Sequence, residues 1–201
     1  PSINAFYGRE WELHLLTSWV VEERCRVVSV LGLGGIGKSA LATSLMQRVA
    51  QHFEVVIWRS LRDAPTYDVL LDGCLQVLAP HQVLRDIPVS FERRQGILLE
   101  HLRRTRVLLV LDNLEVLLEE GQSMGHMRPG YEGYARLLRQ VAETEHQSCL
   151  LLTSREKSID LVLLEGSRAP VRALRLARLD VNACEQLLAE KDVTGSTADY
   201  A

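Results

Sequence analysis

Gly32-Leu33-Gly34-Gly35-Ile36-Gly37-Lys38-Ser39 follows directly on Arg26-Val27-Val28-Ser29-Val30-Leu31, and this junction decides how the rest of the chain is read. The octet fits G-x-x-x-x-G-K-[ST], and the residues before it have the β-branched composition of a buried strand. Strand, glycine loop and helix form the sequence of elements that a phosphate-binding loop requires. Glycines let successive backbone N–H groups turn inward around phosphate oxygens, and the following helix presents its positive N-terminal end. Gly32, Gly34, Gly35, Ile36, Gly37 and Ala40 are therefore expected to line a nucleotide. Lys38 is expected to reach the β- and γ-phosphates. Ser39 is expected to offer its hydroxyl to Mg²⁺, which takes few protein ligands beside phosphate and water oxygens. The bland alternative is a glycine-rich turn between strand and helix that holds no ligand.

The composition suits one α/β domain: 201 residues with 47% hydrophobic content are ample for a core. A net charge of −3 gives no bulk drive toward nucleic acid or an anionic membrane. Arg93-Arg94 and Arg103-Arg104 with Arg106 read as solvated helix ends. Cys25, Cys74, Cys149 and Cys184 lie far apart without a C-x-x-C pair, which fits reduced, structural thiols and a cytoplasmic location. No apolar run approaches the roughly 20 residues that cross a bilayer, so no membrane partner is expected. Pro1 stands where an initiating methionine would, and a longer parent protein is expected.

Strand-like and helix-like segments alternate, the pattern of a parallel sheet with helices on both faces. An amphipathic helix is expected over 10–22, carrying Leu13, Leu16, Trp19 and Val20 on one side, and another over 38–51. Strands are expected at 26–31, 54–58, 106–111, 149–153 and 171–176. Pro65 should open a helix reaching Leu78, since proline suits a first helical turn. The segment 79–89, with two prolines, reads as a loop, and Ser90 as the start of a helix to Arg103. Residues 119–131, punctuated by Gly121, Gly125, Pro129 and Gly130, read as a long surface loop. A helix over 131–144 follows, and Asp180 is placed to cap a last one through Leu187 and Leu188.

Arg106 to Leu111 is too continuously apolar for a half-exposed strand and belongs in the centre of the sheet. It runs into Asp112, an acid at a strand end well downstream of the glycine loop. In phosphate-loop enzymes such a carboxylate shares the metal with the loop hydroxyl, so Ser39 and Asp112 should converge on one ion. By itself Asp112 would read equally well as a turn former. Asn113 cannot take a proton, which leaves Glu115 as the nearest carboxylate to orient an attacking water, or as a solvated first-turn residue. Arg155 closes the fourth strand at the same sheet edge, placed to touch a γ-phosphate or to stand as a solvated arginine. No N-K-x-D guanine-reading motif occurs, so adenine is favoured.

The ordered set Phe6-Tyr7-Gly8-Arg9-Glu10, Gly32 to Ser39, Val107 to Glu115 and Thr153-Ser154-Arg155 resembles the STAND class of signal-transduction ATPases, specifically the NB-ARC nucleotide-binding domain. The resemblance implies a P-loop NTPase three-layer α/β sandwich with a five-stranded, mostly parallel sheet in the order 5-1-4-3-2. It implies an adenine-contacting segment and helix over 1–24, a nucleotide-binding core over 25–178, and a final helix and linker over 179–201. It further implies that Tyr7, Gly8 and Arg9 contact the base and ribose, that Asp112 serves Mg²⁺, and that Arg155 senses phosphate. Many family members carry two successive acids where this chain has Asp112-Asn113.

The Leu111-Asp112-Asn113-Leu114-Glu115 strand end and the loop from Met127 to Tyr131 look like bacterial members joined to repeat arrays, often WD-type propellers. The expectation that follows is an ATP/ADP switch that hydrolyses slowly and oligomerises when activated, with sensor and effector domains in cis. Family members continue into a small helical domain and a winged helix, so an isolated module with weakened nucleotide retention is expected. The alternatives are a P-loop kinase for a small molecule, a nucleic-acid-linked regulatory ATPase, and a scaffold that binds nucleotide without hydrolysing it.

Overall fold

The computed structural model describes residues 8–79, 90–119 and 125–178. Five strands form one sheet: β1 (Val27–Leu31), β2 (Val55–Ser60), β3 (Val107–Asp112), β4 (Cys149–Ser154) and β5 (Val171–Arg175). They lie in the order β2-β3-β4-β1-β5, and every neighbouring pair is parallel. This is the expected order read from the other edge.

The three central strands are buried along their whole length, and alternate residues serve opposite faces. Leu109, Leu111, Leu150 and Leu152 join one core with α3 (Tyr67–Leu78), α4 (Phe91–Arg104) and α5 (Glu132–Glu143). Leu108, Val110, Leu151, Val28 and Val30 join the other with α1 (Glu10–Thr17) and α2 (Lys38–Val49). A strand packed on both sides has no polar face to show, which is why these segments read as unbroken apolar runs.

The helix expected over 10–22 is continuous, but its last turn, Ser18–Glu22, widens into a π-helix that buries Trp19 and Val20. Ser90 caps α4 by accepting the N–H of Arg93 at 3.4 Å. Pro65 does not open a helix. Tyr131 and Tyr134 donate their hydroxyls to the carbonyls of Ala64 and Pro65, each at 2.9 Å, and α3 begins only at Tyr67.

The expected surface loop over 119–131 is partly paired. Leu118 bridges Met127 in antiparallel fashion and Gly125 bridges Ser158 in parallel. Backbone groups lying against the body of a protein need partners, and these are distant in sequence, so glycine and proline punctuation does not reveal them. A one-turn helix, α6 (Ile159–Val162), also escapes sequence reading because four residues carry no periodicity. Tyr7, the 80–89 part of the expected loop and the helix expected after Asp180 lie outside the described residues.

Leu109, central in β3 and 2% exposed, tests the sandwich. Leu109→Ala should lower unfolding free energy by about 2–5 kcal/mol in a denaturant titration, and a loss below about 1 kcal/mol would contradict packing on that face.

Candidate functional site

The carboxyl ends of β1, β3 and β4 converge on the glycine loop. Gly35 (φ 76°) and Gly37 (φ 97°) take backbone conformations that a side chain would strain, and their turns feed the chain into α2. The first N–H groups of α2 have no intrahelical acceptor. Among the described residues, those of Gly35, Gly37, Lys38 and Ser39 find no other acceptor either. Lys38 is 6% exposed and folds back, donating from Nζ to the carbonyls of Gly32 (2.8 Å) and Leu33 (2.9 Å). Burial holds its pKa below the usual lysine range. Glu115 opposes that shift, Arg155 adds to it, and Asp112 opposes it.

Ser39, on the first turn of α2, donates to Asp112 Oδ1 at 2.7 Å. This bond joins the loop to the end of β3. Thr153, fully buried on β4, donates to the same oxygen at 2.5 Å. Asn113 follows in the left-handed region (φ 70°), a conformation asparagine tolerates. Its N–H donates to Thr153 Oγ1 at 2.9 Å, and its Oδ1 accepts from Arg62 Nε at 3.1 Å.

Glu115 stands on the 3₁₀ turn Leu114–Leu117, with Oε1 3.5 Å from Arg155 Nε. Its Oε2 is buried without a hydrogen-bond partner among the described residues. The Arg155 guanidinium lies against the loop: a Cβ added at Gly34 would sit 3.1 Å from its Nη2. A cavity of about 390 Å³ lies elsewhere, beside Trp19 and Arg172, whereas one of about 730 Å³ opens beside Asn113, Glu115, Arg128 and Arg155.

The expected residues from Gly32 to Ala40, with Asp112, Glu115 and Arg155, therefore occupy one edge of the sheet. Arg9 reaches its rim by another route, and Gly8 beside it donates its N–H to Glu10. Arg9 is buried and bonds to Glu12 and to the carbonyl of Ala177, each at 2.6 Å. One residue earlier, Leu176 pairs with Leu31 and packs over Gly32. No hydrogen bond of Arg9 to the glycine loop occurs among the described residues, and Tyr7 lies outside them.

The donor set fits a magnesium–nucleotide. Unpaired N–H groups at a helix start and a buried ammonium bonded only to carbonyls are suited to phosphate oxygens. A hydroxyl that donates to a carboxylate keeps its lone pairs for a hard cation. Arg62 and the Thr153 hydroxyl are two members of the site that the sequence does not announce. A polar residue at the buried end of an apolar strand was the available signal for Thr153; Arg62 offered none, because its contact crosses between strands.

Residues 9–175 match the NB-ARC domain. The chain is 40% identical over 207 aligned positions to an uncharacterized WD repeat-containing protein of Nostoc sp., covering 99% of this chain and 16% of that protein. Disease resistance RPP8-like protein 3 of Arabidopsis thaliana is 32% identical over 112 residues, covering 53% of this chain and 12% of that protein. The chain thus spans less than a fifth of the length of either relative. In fold it is similar to the ORC1 protein of Aeropyrum pernix, solved in complex with DNA, with a TM-score of 0.63 at 19% identity over 94% of this chain and 50% of that one. Cdc6p from Pyrobaculum aerophilum gives 0.61 at 15% identity, over 85% and 46%. Such low identity carries the fold alone, an α/β sandwich of the P-loop type. With the family matched across most of its length, the chain belongs to the NB-ARC domain family of P-loop nucleotide-binding modules.

Proposed function

We propose that this domain binds ATP and ADP and serves as a nucleotide-dependent switch with slow ATP hydrolysis. The observation that carries this reading is the bond from Ser39 to Asp112, made beside a buried Lys38 in a loop of unpaired N–H groups. Lys38 exchanges the carbonyls of Gly32 and Leu33 for β- and γ-phosphate oxygens. The N–H groups of Gly35, Gly37, Lys38 and Ser39 enclose the same phosphates, with Gly32, Gly34, Ile36 and Ala40 completing the wall. Ser39 and Asp112 would hold Mg²⁺, which would supply positive charge to neutralise the phosphates.

Arg155 reads the γ-phosphate from its place over Gly34, and Glu115 orients the attacking water from the adjoining cavity. Glu115 is paired with Arg155. Glu115 Oε2, without a partner among the described residues, is the oxygen left to orient that water, and Asn113 nearby cannot take a proton, which suits a slow hydrolase. Arg9, held at the rim through Ala177, supports placement of the base and ribose there, against Tyr7, Gly8 and Arg9.

A WD-repeat relative supports a parent protein with a sensor in cis, and we extend the reading to an oligomer formed by the activated, longer protein in the cytoplasm. No helix among the described residues is long and apolar enough to cross a membrane. A ligand moves such a switch only by its differential affinity for the two states, so the γ-phosphate contact of Arg155 is where ATP and ADP part.

Lys38→Ala should weaken ATP binding by about tenfold to a hundredfold, read by titration calorimetry, and wild-type affinity would remove Lys38 from the phosphate site. Arg155→Ala should bring the ATP and ADP affinities together; a ratio equal to that of wild type means that Arg155 senses nothing. Glu115→Gln should slow phosphate release on the order of a hundredfold while ATP still binds, and an unchanged rate would return Glu115 to a surface role.

A further inference from the structure

Thr153 sits fully buried in β4, and its hydroxyl has one proton and two lone pairs to place. The proton goes to Asp112 Oδ1 and one lone pair takes the N–H of Asn113. The paired register of β3 with β4 ends at Leu111 and Leu152, so these two bonds stand where the next rung of the ladder would be. Asn113 turns left-handed at that point, and Arg62, just past β2, holds its side chain from the other side. The main-chain carbonyl of Asp112 is meanwhile tied to the N–H of Leu61 at 2.8 Å.

We propose that Thr153 is a positioning residue for the metal: it fixes the rotation of the Asp112 carboxylate and so determines which of its lone pairs face a divalent cation. The inference rests on the reading of Ser39 and Asp112 as Mg²⁺ ligands. Oδ1 accepts two hydroxyls, from Ser39 and Thr153, and Oδ2 accepts no hydrogen bond among the described residues. Of the two donors, Ser39 is itself assigned to the metal. Thr153 is therefore the one restraint on the carboxylate, among the described residues, that stands outside the metal's own shell. Partners of this kind orient a ligating carboxylate, and their loss typically weakens metal binding by about 10–100-fold.

A purely structural Thr153, present to satisfy the N–H of Asn113, would affect stability without affecting the metal. The two roles separate in a titration of Mg²⁺ against a fixed concentration of fluorescent ATP analogue, with a parallel titration of the nucleotide in EDTA. Thr153→Val should raise the Mg²⁺ midpoint about tenfold and leave affinity in EDTA as in wild type, while Thr153→Ser should restore the wild-type midpoint. If the valine variant does not fold, Thr153→Cys, with a weaker donor of similar size, should raise the midpoint in its place. An unmoved midpoint in the folded valine or cysteine variant overturns the inference, as does a serine variant shifted as far as valine. Wild-type protein that binds the analogue without any response to Mg²⁺ overturns the metal reading of Ser39 and Asp112, and the inference with it. A wild-type response beside an unmoved variant overturns the inference alone.

Discussion

Burial of β1, β4 and β3 between two helical layers is the constraint from which the rest of the structure follows. Their side chains alternate between two apolar cores, so a slip of one residue in any of them would drive leucines and valines to the wrong face. Register is therefore fixed by packing well away from any ligand. A fixed register brings the ends of the strands to one level, with Leu31 paired to Ser154 and Leu111 to Leu152. Asp112, Thr153 and the glycine loop meet because the hydrophobic layers leave them nowhere else to emerge.

At that edge most of the charge is already engaged by groups of modest strength. Lys38 rests on two carbonyls, Asp112 on two hydroxyls, and Arg155 on a Glu115 oxygen at the long end of ion-pair distance. Carbonyls are weaker partners for an ammonium than phosphate oxygens are, so on the proposed reading a polyphosphate would replace contacts without having to dismantle a strong network. The site is ordered in advance and still open to exchange. Arg155 is the least enclosed of these groups, with a side chain that is 64% exposed.

Local chemistry written in consecutive residues was legible in the sequence. The octet ending at Ser39 specified a strand, a turn and a helix start, and the apolar run before Asp112 specified a central strand with an acid at its tip. The five strands and their order followed from these together with the family resemblance. What stayed hidden depends on contacts between distant segments. Tyrosines at and just before the start of α5 fix the carbonyls of Ala64 and Pro65, α3 begins only after them, and nothing near Pro65 announces these contacts. Met127 pairs with Leu118 across a segment that reads as punctuation. Asn113 was read by what it lacks, a titratable proton. Its use lies in its backbone: a left-handed residue that an asparagine can supply and that aims its N–H at Thr153.

The contact between Arg9 and Ala177 links residues 168 positions apart, where the chain approaches α1 and where it leaves β5. A single guanidinium therefore joins these two segments. Leu176, next to Ala177, continues the pairing of β5 with β1 through Leu31 and packs over Gly32, the first glycine of the loop. The exit from β5 and the approach to α1 thus share one anchor, set beside the first glycine of the loop.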